Sequence, residues 1–418
     1  MAQLTDDCFA HGGALTRLDV ALQDLLSRLT PVTDSEDLPL AACFGRALST
    51  PLVARNAVPP SDNSAVDGYA VYHEDLARDA ETRLKVVGRA TAGHPFAGPQ
   101  PRGTAVRILT GAVMPAGPDT VMMQEDCSLE GDVVVIRPGI KRGANRRLAG
   151  EDARAGEAVI PAGRVLNAAD LALAAATGHG SLPVRKPLRV ALVSTGDEVH
   201  EPGGPLPEGG IYDANRPLLA ALLGSCGCIV RDLGIQPDRQ DRIAKIFAEA
   251  AACHDAVVTS GGVSTGDEDH VKAAIEAAGG RLHFWRLAIK PGRPVALGQI
   301  GRVPFFGLPG NPVAAMLTFA FFARPLLQRL AGATPVMPRS FPVTAGFAYR
   351  KKADRREWVR VSLHEEAGGW WAEKYPVDGA GVITSLTRTD GLVELPEEMQ
   401  RLEPGAPVRF YPYAALGL

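Results

Sequence analysis

The chain has 418 residues, 46% of them hydrophobic, and a formal net charge of −3, which is room for about two to four domains with real cores. A mean hydropathy of +0.01 and a pI near 6.3 exclude the strongly cationic surface that holds nucleic acid or an anionic membrane. Inspection finds no cleavable apolar start and no apolar run of membrane-spanning length, so a cytoplasmic protein is expected.

Residues 1–12 read as a loose tail. Leu15, Leu18, Leu22, Leu25, Leu26 and Leu29 recur at helical spacing, which predicts an amphipathic packing helix ended by Thr30-Pro31. A second short helix is predicted over residues 39–48. In residues 59–71 two prolines enforce an extended approach to an Asp62-Asn63-Ser64 turn, and a strand starts at Gly68. Residues 84–87, 105–109, 120–123 and 133–136 then read as strands of a small all-β module, with Thr110 at a strand end. Residues 137–154 are rich in arginine and lysine, which is usually a solvated face; Glu151 and Asp152 interrupt the run. A short strand, a helix over residues 168–177 and a linker at 185–187 follow.

From residue 188 to about 330 strands, loops and helices alternate, the mark of a doubly wound parallel sheet. Helices are predicted over 213–223 and 241–252, and from Pro312 to Leu330, with Asn311 as N-cap and Pro312 at the first helical position. Residues 284–295 carry Arg286, Lys290 and Arg293 around a Pro/Gly break. Residues 341–413 return to short apolar strands with Gly/Pro turns, a second β module in which Ser385 falls in the most loop-like part. The six cysteines, at 8, 43, 127, 226, 228 and 253, form no CxxC pair, so reduced and mostly buried thiols are expected rather than zinc ligands.

The stretch 256–270, AVVTSGGVSTGDEDH, runs from a β-branched strand through Ser260-Gly261-Gly262 and Ser264 into Asp267, Glu268 and Asp269 before a helix. Glycines at a strand-to-helix junction bring bare N–H groups against an anion. Carboxylates beside them make sense when a divalent cation lies between them and a phosphate. The same glycines would also serve a plain βα turn with capping acids. Ligands of an open parallel sheet bind beyond the carboxyl ends of its strands, so the loops at 194–198, 260–269 and 307–312 should share one rim.

PSDNSAVDGYAV, ILTGAVMPAG, VSTGDEV, SGGVSTGDEDHVK, LAIKPGRPVALG and FGLPGNPVAA, in that order, resemble the molybdopterin molybdenumtransferase family, the MoeA type that includes the gephyrin E-domain. The resemblance covers nearly the whole chain. It implies an elongated domain I split between residues 10–50 and 147–185, an inserted β domain II at 51–146, a molybdopterin-binding α/β domain III at 186–331 and a β-barrel-like domain IV at 332–418. Residue patterning alone supports three of these; the split domain comes from the resemblance. It further implies a homodimer with a site shared between subunits, and a reaction that takes adenylylated molybdopterin and molybdate, needs Mg²⁺ and releases AMP.

By that resemblance Glu198, Asp238 and Asp269 belong to the nucleotide and metal site. Lys290 would hold molybdate or developing negative charge, and Arg286 stands where a relative can have lysine. Asp62, Thr110 and Asp152 match functional positions outside the α/β part, with Ser61 replacing the usual Phe before Asp62. Ser260, Gly261, Gly262, Ser264, Pro309, Asn311, Pro312, Arg355 and Ser385 are the substrate-contact candidates. A molybdopterin adenylyltransferase and a non-catalytic dimeric scaffold are the competing readings. An adenylyltransferase and proteins that mature molybdoenzymes are the protein partners that would follow.

Overall fold

The computed structural model describes residues 15–261, 270–366 and 368–418. The leucine repeat forms the helix Leu18–Arg28, which buries Leu18, Ala21, Leu22 and Leu25. The helix expected over 39–48 is absent. Ser35–Pro39 is instead a strand paired antiparallel with Ser181–Arg185, followed by one 3-10 turn at Leu40–Ala42. Its partner lies far along the chain, so no local periodicity announces it, and Arg185 sits in a strand rather than a linker. Leu52–Val53 pairs with Ala158–Ile160, and Asn63–Ser64 with Arg146–Arg147. The early and middle parts of the chain are thus stitched together on either side of a β module.

That module is one six-stranded sheet containing Gly68–Val71, Thr82–Ala90, Thr104–Ile108, Thr120–Met123, Cys127–Glu130 and Val133–Ile136. Alternation in the pleat sends Tyr69 and Val71 to one core and Ala70 to the other, as period-2 geometry requires. The strand Cys127–Glu130 carries the polar sequence CSLE and was not expected.

The α/β part runs β1 (Arg189–Thr195), α1 (Asn215–Ser225), β2 (Ile229–Gln236), α2 (Gln240–Cys253), β3 (Ala256–Ser260), α3 (His270–Ala277), β4 (Gly280–Arg286), β5 (Pro294–Ile300), β6 (Val303–Leu308) and a long helix α4 (Pro312–Leu330). The sheet order is β2-β1-β3-β6-β5-β4. Strands β2, β1, β3 and β6 are parallel; β5 and β4 are antiparallel additions. The expected doubly wound parallel sheet thus carries an antiparallel edge, because Gly301 and Arg302 alone connect β5 to β6 and so short a loop can only reverse the chain. The parallel strands read as unbroken apolar runs because cores cover both faces.

Helix α4 has the length and apolarity to cross a bilayer, contrary to the sequence scan, yet 83% of its most apolar window is buried in the protein. It is the central helix of the largest core. One i→i+5 turn at Phe319–Ala323 lies just before Pro325, which brings no N–H to the ladder. Beyond it Arg356–Glu366, Gly369–Lys374, Phe341–Ala345, Pro407–Pro412 and Gly391–Leu395 pair in that order, and the last pairs back to the first. The closed barrel has no free edge in that ring. Ile289–Lys290 joins it as a short parallel strand beside Arg356 and Glu357. Among the described cysteines, all free, only Cys43 is fully buried and Cys253 is exposed, so the expected thiol burial is partial.

Candidate functional site

The loop after β1, the Ser260-Gly261 end of β3 and the turn after β6 meet at the carboxyl ends of their strands. Between them lies a pocket of about 330 Å³, lined by Ser194, Thr195, Glu198, Asp213, Asn215, Ser260, Gly261, Gly310, Asn311 and Pro312, with Gly381 and Ile383 from the barrel. Bare backbone forms its floor. Gly261 has φ +87°, and a Cβ there would lie 2.9 Å from the Thr195 carbonyl oxygen, so this turn needs glycine. A Cβ on Gly310 would reach Gly261 Cα at 3.8 Å, so the turns after β3 and β6 lie backbone to backbone.

Asn215, at the start of α1, clamps these turns: its Nδ2 donates to Ser260 Oγ at 2.7 Å and to the Gly310 carbonyl at 2.6 Å. Among the described residues, the buried Asn215 Oδ1, Ser194 Oγ and Thr195 Oγ1 have no hydrogen-bond partner. Leaving such a group unsatisfied costs about 1–3 kcal/mol, and all three belong to residues that line the pocket, so side chains that turn toward a polar ligand there would gain the missing bonds.

Charge is arranged in two layers. Asp213, 4% exposed, receives Arg216 Nε at 3.1 Å and the Arg216 N–H at 3.0 Å. Arg216 also reaches Asp232 at 2.8 Å and Glu201. Burial would lower its pKa, but the bonds to Asp232, Glu201 and Asp213 outweigh that and raise it, so this guanidinium serves the scaffold. On the rim, Asp238 N donates to Asp197 Oδ1 at 3.0 Å and Asp197 N to Asp238 Oδ2 at 3.3 Å. That exchange ties the loop of Glu198 to the loop of Asp238. Among the described residues no group of three or more His, Cys, Asp or Glu side chains gathers as a metal cage.

The candidates fall in several places. Glu198, Ser260, Gly261, Asn311 and Pro312 share the pocket, and Pro309 is buried in the same turn. Gly262, Ser264 and Asp269 lie outside the described residues. Asn311 does occupy the N-cap of α4, but its side chain makes no cap bond. Lys290 and Arg355 converge instead on Glu357 at the seam with the barrel, and Arg286 is exposed at the end of β4. Asp62, Thr110 and Asp152 belong to the stitched β region, and none lines this pocket. Asp62 Oδ1 accepts from Ala149 N at 2.8 Å. Thr110 gives both its N–H and its hydroxyl to Asp67 Oδ1 at 2.7 Å, bonds that hold the Asp67 carboxyl below its usual range. Asp152 borders an open depression with Gly150, Glu151 and Arg154.

Ser385 does not sit in the loop expected of it. It is 0% exposed in the one-turn helix Thr384–Thr387, accepts from Arg360 Nε at 3.1 Å and donates to the Val382 carbonyl at 2.5 Å. It anchors the segment that reaches the pocket rather than facing it. Arg360, 6% exposed, also donates to the Gly379 carbonyl at 3.0 Å, and Val313 N in the first turn of α4 donates to Ala380 O at 3.0 Å. Sequence reasoning missed Arg360, Gly381, Ile383, Asp213 and Asn215. Only the last two had a local signal, polar residues directly ahead of a leucine-rich helix.

A larger cavity of about 840 Å³ lies between the loops at 44–47 and 161–165 and the carboxyl ends of α1 and α4. No candidate residue lines it. The smaller pocket is the better site, because it sits where the parallel strands end and holds the unpaired polar atoms.

Family profiles match three segments: the MoeA N-terminal region (domains I and II) at residues 16–178, a probable molybdopterin binding domain at 191–329 and the MoeA C-terminal region (domain IV) at 342–413. A molybdopterin molybdenumtransferase of Haemophilus influenzae is 36% identical over 399 residues, covering 95% of this chain and 98% of its own length. Molybdopterin molybdenumtransferase 2 of Mycobacterium tuberculosis is 33% identical, over 93% of this chain and 96% of its own. The crystal structure of the MoeA molybdopterin biosynthesis protein from Pyrococcus horikoshii superimposes with a TM-score of 0.81 at 28% identity, covering 96% of this chain and 100% of that one. With profiles in sequence order and full-length relatives above 30% identity, the chain belongs to the molybdopterin molybdenumtransferase family.

Proposed function

We propose that the protein is the transferase of molybdenum cofactor biosynthesis that inserts molybdenum from molybdate into adenylylated molybdopterin and releases AMP. The observation that carries this reading is the pocket at the ends of β1, β3 and β6, with its glycine floor and three unpaired polar atoms. A pterin nucleotide offers the donors, acceptors and phosphates such a surface lacks. Ser194, Thr195 and Asn215 would bind and orient it, and the bare backbone at Gly261 and Gly310 lets phosphate oxygens approach closely. Lys290 would receive the molybdate oxyanion.

Magnesium fits the rim. This ion is commonly held by one or two carboxylates plus substrate phosphates rather than by a protein cage, and Glu198 and Asp238 supply such a partial set, with Asp269 as the third candidate. When bound, the ion would neutralise phosphate charge and polarise the scissile bond. A homodimer accounts for Asp62, Thr110 and Asp152, which line no part of this pocket: the partner's β module would bring them to it. The division into a split domain I, an inserted domain II, an α/β domain III and a barrel domain IV is part of the same reading; the ladder joining Ser35–Pro39 to Ser181–Arg185 supports the split of domain I. A cytoplasmic location, with an adenylyltransferase delivering substrate and molybdoenzyme-maturation proteins taking product, completes the proposal.

Purified protein mixed with adenylylated molybdopterin, Mg²⁺ and molybdate should release AMP only when molybdate is present. AMP formation from ATP and molybdopterin adenylylation would instead identify an adenylyltransferase, and no turnover under either condition a scaffold.

A further inference from the structure

We infer that Glu357 is a positioning residue for Lys290, a carboxylate supplied by the barrel that fixes the ammonium of the α/β part where an oxyanion is to be received. The inference rests on the reading of Lys290 given above. The backbone sets the pair up: Ile289–Lys290 runs parallel to the barrel strand with Lys290 directly opposite Glu357, and Arg356 N donates to the Ala288 carbonyl at 2.8 Å.

The Glu357 side chain is 1% exposed, and both of its oxygens are engaged. Oε1 takes Arg355 Nε at 2.6 Å. Oε2 takes Lys290 Nζ at 3.2 Å and the Tyr349 hydroxyl at 3.0 Å, while Nζ also donates to that hydroxyl at 3.3 Å. A carboxylate removed from water persists as an anion only with such partners. Two cations pair with this one anion, so the cluster keeps a net positive charge. The Lys290 side chain is 49% exposed and that of Arg355 18%, which places the excess at Lys290. An ammonium has three N–H donors; among the described residues two are committed and the third is open to a ligand.

Two further cations lie nearby, and Lys351 also interacts with the charge of Glu357. Arg356 pairs with Glu394 at 3.1 Å and Glu397 at 3.2 Å. Lys351 Nζ donates to the carbonyl oxygens of Arg355, Glu397 and Lys352. Burial would lower the Lys290 pKa, but Tyr349 and Glu357 outweigh it and hold it above the ordinary 10.5. Removing the Glu357 charge therefore lowers that pKa, and the ammonium is lost at a lower pH.

The test is molybdate-dependent AMP release by the intact protein, with KM for molybdate and kcat followed from neutral to alkaline pH. Glu357→Gln should raise KM for molybdate by about tenfold or more, since a catalytic group displaced by 1 Å can cost about 10²-fold. It should also move the alkaline limb to lower pH, with Glu357→Asp recovering part of both. A merely structural role would lower the melting temperature and leave the alkaline limb in place, and that result overturns the proposal. Should Glu357→Gln fail to fold, Tyr349→Phe removes only the bridging hydroxyl. It should shift both quantities the same way by a smaller factor, and no shift there also overturns the proposal. Lys290→Met separates the two ideas. Unchanged KM in that variant removes the reading of Lys290 itself, whereas a raised KM beside a normal Glu357→Gln refutes the positioning alone.

Discussion

Gly261→Ala is the substitution whose consequence can be worked most closely from the structure. Gly261 has φ +87°, and the added methyl would sit 2.9 Å from a backbone oxygen of Thr195. The left-handed backbone costs an alanine about 1–2 kcal/mol. The contact adds to that, because it is made with backbone and the ends of β1 and β3 must shift apart, at the floor of the pocket. Gly234 supplies the matched control: its φ is +74° and a Cβ there meets nothing within 4 Å. Gly234→Ala should therefore lower the melting temperature and leave kinetics alone. Gly261→Ala should lower it further and raise KM for the pterin substrate by about tenfold or more. Equal KM values in the two folded variants would show that the Gly261 turn does not face the substrate.

Three further outcomes follow from named contacts. Arg360→Lys loses the planar fork that serves Ser385 and Gly379, so it should cost about 2–3 kcal/mol in thermal melts and raise KM through the segment 379–383; a variant that melts and turns over like wild type would contradict this. Asp119 is partly buried, which would raise its pKa, but bonds from His73 N, Arg142 and Thr120 hold it below the ordinary 3.8. Its contribution is therefore present above that value and lost as pH falls through the lower folded one, so Asp119→Asn should flatten the acid side of the stability profile and acid titration of both proteins checks it. Asp269→Asn should abolish metal-dependent AMP release, and EDTA should do the same to the wild type, while circular dichroism stays unchanged; turnover surviving in the variant would remove Asp269 from the mechanism, and turnover surviving EDTA would remove the metal.

What could be read from the sequence followed the range of each signal. The buried runs at 190–193 and 257–258 announced strands because they are apolar on both faces, and the glycine turns after them placed the pocket rim. Ser35–Pro39 and Ser181–Arg185 escaped because each is held by a ladder to a distant partner, not by its own pattern. The antiparallel edge of the main sheet turned on a two-residue hairpin at Gly301. The site was legible where one loop holds several polar groups, as at 194–198. It was not legible where the barrel contributes, because Gly381 and Ile383 look like ordinary loop residues until Arg360 and Val313 fix the segment over α4. Ser385 misled for the converse reason: a serine in a glycine-rich stretch looks exposed, and only the fold buries it against Arg360.

The most direct measurement is a crystal structure of the protein soaked with AMP, Mg²⁺ and molybdate. The account predicts the nucleotide against Ser194, Thr195, Asn215 and Gly261, with an ion beside Glu198 and Asp238 and an oxyanion at Lys290. Nucleotide density in the larger cavity beside Arg46 and Arg324, or in the smaller pocket with no ion at its rim, would contradict it.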